Sequence, residues 1–191
     1  MPVRRLWEVC QKVQDGTHFS PHTSTGAYRY VTSKNIRDGY LDLTASGWIS
    51  KEEHDGIYKR ADVKSGDVLL TKDGANAGNV AINHIEEPFS LLSSVAFIRP
   101  NPKMLLSRYL FEYLRSLYGR TRVLSHVKGS AITRLTLIQI KSLEVPSPPL
   151  TEQAKACEHF VALEGTIASM RIRLDRLSAL RLNLAAEIDR S

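Results

Sequence analysis

From Gln153 onward, apolar residues return at alternating steps of three and four, directly behind a proline-rich break. The series runs Gln153, Ala156, Phe160, Leu163, Ile167, Met170, Leu174, Leu177, Arg181, Leu184 and Ile188. Nine of these eleven positions are apolar, the signature of a coiled-coil seam. Ile172 and Leu180 widen the stripe, enough to touch more than one partner helix. Ahead of it stand Pro146, Pro148 and Pro149. Proline has no backbone N–H and a fixed φ, so no regular element is expected across them. Thr151 is the expected N-cap, and Glu152 suits the positive end of a helix. At 1.5 Å per residue such a helix spans ~57 Å, too long to pack on one small domain. Gly165 falls outside the seam, where glycine costs ~1 kcal/mol. The proline run reads as a rigid hinge ahead of this helix.

Composition narrows the class. The chain has 191 residues, 42% of them hydrophobic, enough for a real core. Its two cysteines, Cys10 and Cys157, are too few for a disulfide framework. They read as small apolar fillers in a reducing cytoplasm. No apolar run approaches the ~20 residues of a membrane span. No apolar segment follows Met1–Arg5 as a secretory signal would require. A membrane partner is not expected.

The formal charge of +6 is unevenly placed. Residues 151–191 are balanced, with six basic and six acidic side chains. Residues 1–98 carry 11 basic against 12 acidic groups. Residues 99–141 carry nine basic groups and only Glu112 against them, a net +8. Such a stretch is a candidate polyanion-binding face; a merely solvated basic surface is the alternative.

Residues 1–98 read as short strands between turns. Runs at 28–32, 67–71, 80–82 and 92–98 are β-branched or aliphatic, and Asp15-Gly16, Asp38-Gly39, Asp55-Gly56 and Asp73-Gly74 punctuate them. The period then changes. Leu105, Leu106, Tyr109, Leu110, Tyr113, Leu114 and Leu117 describe an amphipathic helix, with Gly119 as its stop. A short helix over 120–127 ending at Gly129, helical turns over 136–141 and a last strand over 143–145 complete the domain. The expected fold class is α+β: a strand- and turn-rich domain with helices, followed by a long C-terminal coiled-coil helix.

Several chemistries lack their residues. There is no phosphate-cradling G-x-x-x-x-G-K-[ST] loop and no G-x-G-x-x-G after a strand. The Pro-Pro pair, Ser147-Pro148-Pro149-Leu150, is not the Asn/Asp-Pro-Pro-aromatic segment of amino-methyltransferases. His18 and His22 have metal-ligand spacing but sit around Pro21 without a third ligand. Asp42 with Asp62-Val63-Lys64 is only formally a metal-nuclease pattern, and Ser93-Ser94 has no base in a recognisable setting. By elimination the chain reads as a binding module.

Four segments, in order, carry a family resemblance. They are Val13-Gln-Asp-Gly-Thr-His-Phe-Ser-Pro-His22, Thr32-Ser-Lys-Asn-Ile-Arg-Asp-Gly-Tyr40 and Gly66-Asp-Val-Leu-Leu-Thr-Lys-Asp-Gly-Ala-Asn-Ala-Gly-Asn79. The fourth runs from Gly129-Ser-Ala-Ile-Thr-Arg-Leu135 to Val145-Pro-Ser-Pro-Pro-Leu-Thr-Glu-Gln153. In this order they resemble the specificity subunit of type I restriction-modification systems. The resemblance implies one target recognition domain, DNA-binding, over residues 1–148 and one helical spacer, for dimerisation and subunit docking, over 149–191. Full members usually carry two of each, so the chain resembles a half subunit. It implies a homodimer through the spacer helix, with two identical readers facing a palindromic bipartite site. It also implies a non-catalytic role beside modification subunits, which use S-adenosylmethionine to methylate adenine, and restriction subunits, which use ATP. No cofactor is expected on this chain. A small nuclease or methyltransferase fragment, and a coiled-coil adaptor that no longer reads DNA, are the alternatives.

Lys and Arg contacts to phosphate would supply affinity, and loop side chains reaching base edges would supply specificity. The candidate DNA-binding residues are Thr17, His18 and Ser20; Lys34 and Asn35; Lys72 and Asn76; Arg120 and Arg122; and Lys128, Ser130, Thr133 and Arg134. Phe19 and Tyr40 are expected in the core first and as stacking groups second. The candidate partner-facing residues are Phe160, Leu163, Ile167, Met170, Leu174, Leu177, Leu184 and Ile188.

Overall fold

The structure, a computed structural model, describes residues 1–125 and 134–188, with side chains followed as far as Leu182. It divides into two units, Met1–Ala154 and Lys155–Ser191. Along the first unit run β1 (Val3–Arg5), α1 (Leu6–Val9), β2 (Cys10–Asp15), β3 (Tyr28–Val31), β4 (Gly47–Ile49), α2 (Lys51–Tyr58), β5 (Val68–Thr71) and β6 (Val80–Ile82). There follow β7 (Ser90–Leu91), β8 (Val95–Pro100), α3 (Ser107–Arg115), α4 (Leu117–Ser125), α5 (Leu137–Ser142) and β9 (Glu144–Pro146). The last helix, α6, spans Leu150–Ile188.

A four-stranded antiparallel sheet in the order β2-β8-β5-β6 forms the centre. Side chains alternate across a strand, and here both faces are covered. Val68, Leu70, Ala96, Ile98, Val13 and Val80 point into one core with residues of α1, α3, α4 and α5, among them Leu6, Leu110, Val123 and Ile140. Leu69, Ala81, Val95 and Phe97 point into a second core with Val31, Ile36, Phe89 and Leu91. Strand β5 is therefore buried along its whole length, which is why it reads as the uninterrupted run Val-Leu-Leu-Thr. A three-stranded sheet, β4-β3-β7, and a pair, β1-β9, flank it.

The α+β class and the long terminal helix are as expected, and the anticipated strands appear within a few residues. The run at 92–98 starts late: β8 begins only at Val95, and Leu92 instead bridges Thr17. Other expectations are corrected. Asp55-Gly56 is no turn; it lies inside α2, which Ser50 caps by accepting the Glu53 N–H at 3.3 Å. Gly119 is no helix stop. Helix α3 ends at Arg115 because Ser116 turns extended, with ψ 152°, and α4 restarts at Leu117. Gly119 is needed there for close approach, since a Cβ would stand 1.9 Å from the Tyr113 carbonyl oxygen. The anticipated second helix, 120–127, starts earlier, and its Gly129 end lies outside the described residues.

Pro146 does enter a regular element, at the end of the two-stranded β1-β9 pair, where its missing N–H breaks no central ladder. Thr151 is not the N-cap of α6. The helix opens a residue earlier, with Glu152 and Gln153 donating to the Pro149 carbonyl at 2.9 and 3.1 Å. Helix α5 is fastened by a reciprocal capping box, Gln139 N–H to Thr136 Oγ1 at 3.2 Å and Thr136 N–H to Gln139 Oε1 at 2.8 Å.

Burial pushes the Cys10 thiol up to about 12, which makes it an inert filler. No helix among the described residues is long and apolar enough to cross a membrane.

Candidate nucleic-acid interface

Antiparallel pairing places the C-terminal ends of β2 and β5 beside the N-terminal end of β8. Three loops predicted to read DNA therefore meet at one end of the central sheet, and backbone bonds tie them together. Thr17 N–H donates to the Leu91 carbonyl at 2.8 Å, and Ser93 N–H to the Thr17 carbonyl at 2.7 Å. Lys72 N–H donates to the Ser94 carbonyl at 2.9 Å, while the Ser33 N–H reaches the Ser94 hydroxyl at 3.1 Å. Asp73 and Arg134 form an isolated bridge, so the chain behind the fourth predicted loop returns to the same place. Gly16 permits the tightest of these approaches, since a Cβ there would fall 1.8 Å from the Leu91 carbonyl oxygen.

A buried ionic cluster lies under these loops. The Asp15 carboxylate is 2% exposed and faces Lys72 Nζ at 3.2 Å, Arg60 Nη1 at 3.2 Å and His18 Nε2 at 3.5 Å. A second Arg60 nitrogen donates to the Gly16 carbonyl. One carboxylate thus holds side chains from three separate segments, at the foot of the loop that carries His18.

Two predicted base readers are corrected by this geometry. Lys72 is 2% exposed and spent on Asp15, so it positions the loops and does not reach a duplex. Asn35 is also buried. Its Oδ1 accepts the Thr32 N–H at 2.9 Å and its Nδ2 donates to the Asp42 carbonyl at 3.0 Å, which shapes the turn. His18, Ser20, Lys34 and Arg134 are exposed, and Thr17 and Asn76 are half-buried. Phe19 and Tyr40, expected in the core, are both exposed. Lys128, Ser130 and Thr133 lie outside the described residues.

The basic stretch is also revised. Arg99 is taken up by Asp67 at 2.9 Å and Asp62 at 3.2 Å. Arg108 meets Glu112 at 2.5 Å, Arg115 and Arg120 lie 3.6 and 3.9 Å from Asp38, and Arg134 is 3.4 Å from Asp73. Arg122 lies 3.3 Å from Glu144, beside β9 and away from the loop cluster. Four arginines crowded in sequence, Arg99, Arg115, Arg120 and Arg134, are therefore interleaved in space with acids from residues 1–98. Arg60, which carried no signal as a candidate, is exposed at the loop cluster. Only the tertiary fold reveals it, because it lies 45 residues from Asp15.

The metal readings find no support in the geometry. His18 turns to Asp15. Asp42 is held below the usual carboxylate range by the Thr44 hydroxyl and N–H, with Arg37 beside it. Asp62 is engaged by Lys12 at 2.5 Å and by Arg99. No group of three or more His, Cys, Asp or Glu residues that could hold a metal occurs among the described residues.

In the second unit Phe160, Leu163, Ile167, Met170, Leu174 and Leu177 are all exposed, as are Val161, Ile172, Leu180 and Leu182. The side chains of Leu184 and Ile188 lie outside the described residues. Gln153, written above as the first seam position, is no seam residue. It is fully buried in the first unit, donating to the Met104 and Pro148 carbonyls at 2.9 and 2.8 Å and accepting the Leu106 N–H at 2.9 Å.

Known proteins resemble this chain in sequence and in fold. The type I restriction enzyme EcoBI specificity subunit of Escherichia coli is 34% identical over 119 residues, 62% of this chain and 25% of that protein. The MjaVIII specificity subunit of Methanocaldococcus jannaschii is 29% identical over 74% of this chain and 31% of that protein. The chain spans at most 40% of the length of the curated relatives it matches here. Among solved structures, the HsdS subunit from Thermoanaerobacter tengcongensis superposes with a TM-score of 0.63 at 19% identity, over 88% of this chain and 38% of that one. The type I restriction-modification S subunit from M. genitalium gives 0.58 at 15% identity, over 94% and 43%. These likenesses show a shared fold. The family described as the type I restriction modification DNA specificity domain matches residues 1–179, through the joined loops, the proline break and most of the terminal helix, and this chain belongs to it.

Proposed function

We propose that this chain reads a DNA sequence on behalf of a type I restriction-modification complex and is itself non-catalytic. The observation that carries the reading is the junction of three predicted reader loops over one buried carboxylate, at a single end of the sheet. Exposed Lys34, Arg60 and Arg134 suit phosphate, while Thr17, His18, Ser20 and Asn76 supply donors and acceptors for base edges. Arg120, beside Asn79 at 3.4 Å, and the residues Lys128, Ser130 and Thr133 extend the candidate set.

The exposed apolar stripe of α6 is proposed to pair with the same helix of a second copy. A two-fold dimer presents two identical readers to a palindromic bipartite site. The off-seam residues Ile172 and Leu180 leave a further face for a modification subunit, and restriction subunits join through that subunit. S-adenosylmethionine and ATP then belong to those partners, and the complex works in the cytoplasm.

Binding to duplex DNA at several salt concentrations tests the reading. Contacts to about four phosphates predict that log K falls against log salt with a slope of about −4. A slope near zero excludes a phosphate grip. The target itself is read from the adenine methylation pattern of a genome that expresses the chain with its modification subunit.

A further inference from the structure

We infer that Phe19 enters the base stack of the duplex this chain reads, as a wedge held out by a loop pinned at both ends. The inference rests on the DNA-reading function proposed above and adds a residue that reads no base edge.

Phe19 is 81% exposed, whereas Phe89, Phe97 and Phe111 in the same unit are at most 3% exposed. Two other exposed rings carry a cation, Arg29 over Trp48 at 4.6 Å and Arg122 over Tyr118 at 5.5 Å, while Trp7 and Tyr40 are exposed to a lesser degree than Phe19. Among the described residues, no ring or cation contact covers Phe19. The loop that carries this ring is tied down on both sides. On the N-terminal side, Thr17 is bonded to Leu91 and Ser93, Gly16 presses on Leu91, and the Phe19 N–H donates to Thr17 Oγ1 at 3.2 Å. On the C-terminal side, the Glu53 carboxylate accepts the His22 N–H at 2.6 Å, the Thr23 N–H at 3.4 Å and the Thr23 hydroxyl. Pro21 fixes φ between the two anchors.

The surroundings select the partner. His18 and Arg60 line the same concavity as Phe19 and converge on Asp15, and Lys34 is exposed on a loop tied to the same sheet end. Of the two acids lining the same concavity, Glu53 is turned onto the loop backbone. An exposed apolar ring with the cations Arg60 and Lys34 at the same sheet end matches a polyanion with a stacked apolar interior, which is duplex DNA. Apolar wedges of this kind unstack a base step, most cheaply at a pyrimidine–purine step, and so bias sequence without hydrogen bonds.

The intact chain is used to select duplexes from a random pool. The bound duplex is then probed with permanganate, which oxidises unstacked thymines, and diethyl pyrocarbonate, which attacks unstacked purines. The wild-type complex is expected to show one hyper-reactive step for each bound copy, lost in Phe19→Ser and kept in Phe19→Trp. Affinity of the Ser variant is expected to fall about tenfold, within the range for removing one stacking contact. Because Phe19 is exposed, both variants should keep the wild-type unfolding temperature. Specific binding without a hyper-reactive step, or with one that Phe19→Ser leaves intact, overturns the wedge while leaving the DNA reading standing. Failure to enrich any duplex overturns the reading itself, and the wedge with it.

Discussion

Lys72 shows how burial reverses the meaning of a residue. By type and setting, in Lys72-Asp73-Gly74, it suits guanine or phosphate; in the fold it is the buried counter-ion of Asp15. Removing one member of such a pair leaves a charge without its main partner in a dry site. Lys72→Ala should destabilise the first unit by about 3 kcal/mol, measured by chemical denaturation. A change below about 0.5 kcal/mol would show the pair to be peripheral. His54 invites a pH test. It is buried in a stack with Tyr28, ring centroids 3.9 Å apart, and its Nδ1 lies 2.9 Å from Ser90 Oγ. Burial lowers its pKa below the ordinary 6.5, so the unfolded chain takes up its proton first. Its contribution is present above pH 6.5 and is lost as pH falls from there toward the folded pKa. His54→Gln should flatten that part of the stability–pH curve in thermal melts. The residue types at the candidate site were legible in the sequence. Which of them face water was not, because exposure depends on partners such as Asp15 and Asp42 that lie 57 and seven residues away.

At the scale of elements, periodicity carried the strands and α6, because alternation and the three-four step are properties of neighbouring residues. It failed at α2, where Asp55-Gly56 mimics a turn but Ser50 caps a helix. It failed again at Gly119, whose role is set by the Tyr113 carbonyl of the preceding helix. Gly165 shows the converse. It lies inside α6, and a Cβ there meets nothing within 4 Å. Gly165→Ala should therefore stabilise the helix by about 1 kcal/mol, seen as higher helicity and melting temperature by circular dichroism. A loss of stability instead would place a close neighbour at that position.

For the whole molecule, the exposed stripe of α6 is the main unfinished surface. Six seam residues from Phe160 to Leu177 stand in water, with further apolar side chains beside them. Patches of that extent mark protein interfaces. Light scattering should report the mass of a dimer, and the double substitution Leu174→Glu with Leu177→Glu should return a monomer by placing charge in the seam. A dimer mass that survives both changes would move the interface elsewhere. Net charge also acts at this scale. The +8 of residues 99–141 suggested a continuous basic face, yet Asp38, Asp62, Asp67 and Asp73 from the other half meet four of its arginines.

The α+β class, the strands, the proline break and the long terminal helix were legible in the sequence, because each is written in short-range spacing and in residue chemistry that does not depend on the rest of the fold. The joining of distant loops at one sheet end, the demotion of Lys72, Asn35 and Gln153 to internal supports, and the exposure of Phe19 belong to the tertiary structure. Antiparallel pairing brings residues dozens of positions apart into contact, and only those contacts decide which polar groups are consumed inside the protein and which remain for a partner.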